Sequence, residues 1–580
     1  MKKTLLLSVI TTVILSMAAC TADDPYNESF NGGNGWNSAG GGNSSTTGYL
    51  ATFDIAIDRT SAEPTTTANE YYPDEEDAIE NNEFTTKVTI DMSNPMAKTE
   101  SGVEVTVNGC HVTANHGETK KVCYVLSGTT ANGSFTVVGD KKYAVKLSGV
   151  SITNPDSAAL NLLCGKRAFI ILADGTTNTL TDGTNGSQKG ALYCKGKLLF
   201  NGSGQLSVTG NTNNGIHSAD YILFNKGNNI YVKSTANHGI KANDGIFING
   251  GILNVEVTAA AAKGFNCESH IIVNGGRTTV LTTGGGVYDS EEGEAKGAAG
   301  IKADSTLTVN GGELLLKSTG AGGKGINVDM GATFNGGTVH VITTGSQYKS
   351  NNDTSSPKGI RTDGNITVAG GQIWVRTSST SGEGIETKKE LNITGGEVAS
   401  YAYDDAINSK STMTISGGYV YAQGRNNDGL DANGNCYVKG GTVYAICSGS
   451  PEVAIDANTE GGYKLYVEGG TIIAVGGLEN GSQLTQACYQ SSWSAKTWYA
   501  LTVDGSTFAF QTPSSGGSGL VVSGASQPTL LSGISVSGGT SYFGGLGITD
   551  GTVSGGSSVS LSSYTGMGGN PGGGGRPGGW

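Results

Sequence analysis

The sequence predicts an all-β protein folded as a right-handed parallel β-helix, a β-solenoid of about 22–25 residues per rung with β caps at both ends. Composition is the first reason: 94 glycines, 11 prolines and 15% charged residues in 580 describe a repetitive chain dense in turns, with no long helical pattern after the N-terminus. A recurring turn is the second. The pattern apolar-x-Gly-Gly-x-apolar appears as FNGSGQL, FNKGNNI, INGGIL, VNGGRT, VNGGEL, FNGGTV, VAGGQI, ITGGEV, ISGGYV, VKGGTV and VEGGTI. Its second position falls at 204, 227, 251, 276, 312, 337, 371, 396, 418, 441 and 470, so most steps are 22 to 25 residues. The third reason is a strand inside each period, in which a large apolar residue follows Gly or Ala: Ile216, Ile240, Phe265, Ile301, Ile326, Ile360, Ile385, Ile407, Leu430 and Ile455. Such a column has to face inward, and the period is too short for a pair of helices.

From the N-terminus, Lys2 and Lys3 precede the apolar run LLLSVITTVIL, and SMAAC follows. Residues 1–20 therefore read as a signal peptide whose small residues end at Cys20. The arrangement resembles a bacterial lipobox with Met17 where Leu is usual, which implies lipidation of Cys20. The run is short for a membrane span, so the chain is expected to be anchored, with the lipid as its only membrane contact. TADDP next to the cysteine resembles the acidic signal that sends some lipoproteins to the cell surface, and a solvated tail explains it equally well. The expected location is the outer membrane of a Gram-negative bacterium, surface-exposed. Residues 21–50 read as a flexible tether, 51–150 as an N-terminal β cap region, 151–476 as the solenoid, 477–564 as a C-terminal β cap holding Trp493 and Trp498, and 565–580 as a disordered Gly-rich tail.

A net charge of −13 disfavours nucleic acid, which needs clustered Lys and Arg. Eight cysteines follow Cys20, none in a CxxC pair, which argues against zinc. Cys194 and Cys267 occupy inward positions; Cys110 with Cys123 and Cys436 with Cys447 could pair. Two long insertions, 287–298 and 346–358, leave the repeat at the same corner, where extra loops usually mark a binding face.

The string NPDSAALNLLCGKRAFIILADGTTNTLTDG (154–183), with QKGALYCKGKLLFNGSGQLSVTGN and NNGIHSADYI after it, resembles the carbohydrate-binding domain-containing family: secreted, calcium-containing parallel β-helices related in architecture to polysaccharide lyases. The likeness runs from about Val103 to about Leu530. It implies binding of plant-type polysaccharide such as cellulose or pectin, calcium in the solenoid turns, and no established catalysis.

The residues after the inward column test that implication. They run His217, Lys241, Asn266, Lys302, Asn327, Arg361, Glu386, Asn408, Asp431 and Asp456, basic or neutral early and acidic late. Arg361 above Glu386 would be an ordinary cross-strand ion pair. Asp431 beside Asp456 has no such explanation, since two carboxylates ~5 Å apart repel by roughly 3 kcal/mol at an effective dielectric of about 20. Either a cation sits there or one acid is protonated. Asp404, Asp405, Asn408, Asn427, Asp428, Asp431, Glu452 and Asp456 thus form a candidate calcium site; the rival reading is that Asp and Asn merely cap turns. That rival is preferred for Asp220, Asp244, Asp304, Asp329 and Asp363. DANGN from Asp431 is no EF-hand, with Cys436 and Thr442 at positions six and twelve.

Sugar binding wants flat aromatic faces, and Trp374, Tyr419, Tyr421 and Tyr444 fall on or near an outward column; cross-strand packing is the plain alternative. A non-catalytic binder is expected. A calcium-dependent lyase on uronates, with Lys388, Lys389 or Lys410 near the acids, and a structural or adhesin solenoid are the alternatives.

Overall fold

A computed structural model describes residues 49–65 and 68–566. The signal peptide, Cys20, nearly all of the tether and the tail from 567 onward lie outside the described residues. Each rung carries three short strands. A representative rung is Asn214–Ser218, Tyr221–Phe224 and Asn229–Ser234, and the next is Ile240–Ala242, Gly245–Ile248 and Ile252–Val257. Equivalent strands of successive rungs pair in parallel, which creates three long faces. The first face is a 15-stranded sheet. The second and third merge into one 29-stranded sheet because Cys436–Ile446 and Leu465–Val475 run unbroken through their shared corner. The described residues contain no α-helix.

The inward column behaves as a packed stack. Ile216 lies against Ile240, and the register continues through Phe265, Ile301, Ile326, Ile360, Ile385, Ile407, Leu430 and Ile455. All are buried in one core that runs the length of the solenoid, as are Cys194 and Cys267. The same column extends toward the N-terminus through Leu192, Leu160 and Phe135 to Val112, and Thr86–Asp91 already pairs in parallel with Val122–Thr130. Much of 51–150 therefore belongs to the stack, although it lacks the glycine pair that makes later rungs visible. At the corner of the second and third faces, Asn225, Asn249, Asn274, Asn310 and Asn335 each donate a side-chain N–H to the Asn one rung earlier, over 2.8–3.4 Å.

Both ends of the stack are closed. Antiparallel strands Lys98–Glu100 and Val103–Asn108 cover the first rungs, while Cys488–Ser491, Leu520–Ser523 and Ser562–Tyr564 cover the last. A six-stranded antiparallel sheet lies over the third face near the C-terminal end. The N-terminal residues 49–65 and 68–82 form a strap with three short 3-10 turns that joins no sheet. Asp77, fully buried, fixes it by accepting from Arg167 Nε at 2.7 Å and from Tyr221 Oη at 2.6 Å. The two insertions form hairpins, Val287–Asp289 with Glu294–Lys296 and Tyr348–Ser350 with Asp353–Ser355, and Ala295 N donates to Asp353 across them. Neither suggested disulfide forms: Cys110, Cys123, Cys436 and Cys447 are free thiols.

Because the isoleucine column is a single continuous contact, Ile326→Ala should destabilise the protein by about 2–5 kcal/mol, the cost of a buried cavity. Equilibrium denaturation would measure it, and a loss below about 1 kcal/mol would mean that the rungs do not stack as described.

Candidate functional site

On the first face, two polar columns flank the isoleucines. One holds Lys263, Ala299, Lys324, Lys358 and Glu383 in register; the other runs from His217 to Asp431. In the early rungs, the acids one turn further on neutralise the bases. Lys302 pairs with Asp304 at 2.6 Å and Asp329 at 2.7 Å, and Arg361 with Asp363 at 2.7 Å. Asp304, Asp329 and Asp363 are therefore ion-pair partners as well as turn residues, whereas Asp220 accepts from the N–H of Tyr221 in its own turn. The expected Arg361–Glu386 pair gives way to these contacts. Glu386 instead takes Lys358, which also holds Glu383 at 2.6 Å. Among the described residues Lys324 forms no ion pair; its amine donates to Ser355 Oγ at 2.8 Å, and burial beside Arg361 and Lys358 pushes it down to about 8.

The late rungs are different. Asp404, Asp405 and Asn408 lie one rung from Asn427, Asp428 and Asp431, as the repeat requires, and Leu430 bridges Ile455 so that Asp456 follows. Amides tie the acids together: Asn408 Nδ2 donates to Asp405 Oδ2 at 3.0 Å and Asp431 Oδ2 at 2.7 Å, and Asn427 Nδ2 donates to Asp404 Oδ1 at 3.0 Å. Backbone N–H groups of Asp428 and Val453 reach Asp405 and Asp428. Among the described residues no three His, Cys, Asp or Glu side chains converge as a ready ligand set. Two acceptors in this corner are buried and unpaired: Asn408 Oδ1 and Glu383 Oε2.

The electrostatic consequence is a set of carboxyls that resist ionising. Burial, with Asp431, Glu383 and Asp428 around it, pushes Asp405 up to about 8. Burial raises Asp428 to about 7 and also raises Asp431. Asp456 reaches about 9 through burial and a hydrogen bond to Glu479. Glu479 had a signal in the sequence: Gly477, Leu478 and Glu479 repeat the Gly-apolar-polar triplet, and Leu478 bridges Ile455.

The aromatic column is not available as expected. Trp374, Ala399, Tyr421, Tyr444 and Ile473 do share one outward register, but the strap and the C-terminal sheet bury them. Phe53 of the strap packs on Trp374, whose Nε1 donates to Glu397, while Tyr421 and Tyr444 meet Phe543 and Phe510. Tyr419 stacks on Tyr542 with ring centroids 3.7 Å apart. Ladder packing adds a second obstacle: His340 and Trp374 stack at 4.6 Å and 5°, turning their faces toward each other.

These features define a capped parallel β-solenoid with an acidic corner on one face. Residues 99–269 and 374–429 match the family model described as carbohydrate-binding domain-containing protein. A protein of that description from Acetivibrio thermocellus is 32% identical over 112 residues, which is 18% of this chain and 39% of that protein. The chain thus matches about two fifths of the relative's length. A solved polysaccharide lyase-like protein from C. thermocellum, in its gadolinium derivative, is 22% identical, with 53% of this chain and 96% of that one covered at a TM-score of 0.31.

Raised carboxyls set the sign of a pH effect. Asp405, Asp428 and Asp456 titrate in the folded state above their ordinary value of 3.8, so between about pH 4 and 9 the folded state holds more protons than the unfolded chain, and stability falls as pH rises through that window. In chelator, the melting temperature should drop from pH 5 to pH 9, and Asp405→Asn with Asp456→Asn should flatten the slope. An unchanged slope in the double variant would place the titration elsewhere.

Proposed function

We propose that this chain binds polysaccharide as a surface-exposed lipoprotein, anchored at the outer membrane through Cys20, with calcium at the acidic corner. The polysaccharide reading rests on one observation: the carbohydrate-binding match covers two separated stretches of the solenoid, and the second takes in Asp404, Asp405, Asn408, Asn427 and Asp428. The acidic corner would then be part of what that family shares, and the protein would hold its ligand without transforming it.

Calcium is supported by the donor chemistry. The corner is rich in carboxylate and amide oxygens, Asn408 Oδ1 is buried without a partner, and burial together with neighbouring acids raises the carboxyls around it. Asp405, Asn408, Asp428 and Asp431 would hold the ion, with Asp404, Asn427, Glu452 and Asp456 around them. When bound, calcium supplies the charge that lets these acids ionise together and ties adjacent rungs.

Titration calorimetry at pH 8 should show calcium binding that weakens at least tenfold in Asp428→Asn/Asp431→Asn, and calcium should raise the melting temperature of the unmutated protein only. Equal binding by both would remove calcium from this corner. Co-sedimentation should retain the protein on cellulose or polygalacturonate; retention on neither would leave a structural or adhesin role. Cys20→Ala should release the protein from the outer membrane fraction, and persistence there would defeat the anchor.

A second reading, elimination on uronates, is favoured by Lys324, an amine pushed down to about 8 on the same face as the acids and next to Arg361 in its electrostatic surroundings. It requires growth of absorbance from unsaturated products during incubation with polygalacturonate and calcium. A flat trace excludes it.

A further inference from the structure

The glycine-pair corner between the second and third faces holds a chemical asymmetry that recurs over five successive rungs. The second glycine of the pair has positive φ, 76° at Gly312, 77° at Gly337, 82° at Gly371, 75° at Gly396 and 77° at Gly418. Its carbonyl is consumed by the next rung: Gly312, Gly337, Gly371, Gly396 and Gly418 accept from the N–H groups of Thr338, Gln372, Glu397, Tyr419 and Thr442. Its own N–H is not. Among the described residues these five N–H groups have no acceptor, and the glycines are partly exposed. Register places them one rung apart, about 4.8 Å. The outcome is a row of backbone donors whose complementary acceptors are already spent.

Two earlier members of the same series show what such donors take. Gly227 and Gly251, with φ of 85° and 87°, donate their N–H groups to the two oxygens of one carboxylate, Glu63 of the strap, at 2.9 and 2.6 Å. Backbone N–H groups held in this way bind anions without titrating and without side-chain entropy. The row also stays bare. A Cβ on Gly337 would lie 2.7 Å from the backbone of Gly311 and Gly312, and one on Gly371 2.7 Å from Gly337 O, so neither position can carry a side chain of its own. The acids beside it are occupied: Glu313 pairs with Arg277 at 2.6 Å, and Glu397 accepts from Trp374 Nε1 and Phe543 N.

We propose that the amide row Gly312–Gly337–Gly371–Gly396–Gly418 binds a linear polysaccharide bearing regularly spaced carboxylates, lying along the solenoid axis, with Glu63 as the chain's own occupant of the preceding positions. The inference rests on the polysaccharide reading and assigns it a face and a ligand chemistry distinct from the acidic corner.

The full chain serves for the test, with polygalacturonate as probe and hydroxyethylcellulose as the neutral control. Ala369 and Thr394 are exposed immediately before two of the glycine pairs, so Ala369→Trp and Thr394→Trp obstruct the row without entering the turn. Polygalacturonate should slow hydrogen exchange in peptides covering these five glycines at least tenfold, and either Trp variant should weaken binding about tenfold while keeping the melting temperature. Polygalacturonate binding with no protection of the row, unaffected by the Trp variants, overturns the inference and leaves polysaccharide binding standing. Equal protection by hydroxyethylcellulose overturns the carboxylate assignment. Retention of neither polymer overturns both the inference and the reading beneath it.

Discussion

Every rung of this solenoid sits about 4.8 Å from the same position of the rung before it, and that enforced contact of like with like governs the rest of the molecule. For Ile on Ile the contact is favourable, and one apolar column builds a core along the length of the chain. For Asn on Asn it is favourable too, because an amide both donates and accepts, so the Asn225-to-Asn335 ladder closes with each side chain satisfied by its neighbour. For Asp near Asp it is costly. Register that cannot slip without turning the core outward compels Asp405, Asp428, Asp431 and Asp456 to share one corner.

The two halves of the first face answer that cost differently. In the early rungs a base stands in the column and an acid stands one or two residues on, so Lys302 and Arg361 find Asp304, Asp329 and Asp363 within the same or the next rung. The late rungs put acids in the column itself. Their carboxyls rise toward neutrality, and Asn408 and Asn427 lend the hydrogen-bond donors that a carboxylate pair lacks.

Coverage decides which outward chemistry can be used. The strap and the C-terminal sheet take the apolar parts of the outer surface, including Trp374, Tyr421 and Tyr444, and so convert a candidate sugar platform into a second core. The acidic corner and the glycine row lie outside that second core. Both arise from the backbone period, and neither depends on an aromatic ring.

Sequence alone determined the architecture and the acidic corner, since a constant spacing and the identity of each residue suffice to state which side chains stack. Asp428 over Asp405 and Asp431 over Asn408 were legible for that reason, and Gly477-Leu478-Glu479 carried the same signal one rung further. The parallel rungs before residue 150 were not legible, because their turns lack the glycine pair. Partner choice was not legible either: Arg361 could reach Glu386 or Asp363, and only the side-chain paths favour the latter. Above all, what lies over Trp374 is a contact with Phe53, more than 300 residues earlier in the chain. Periodicity reports neighbours at the repeat distance. A strap crossing the rungs has no period, so only the tertiary structure could decide which outward faces remain open to a ligand.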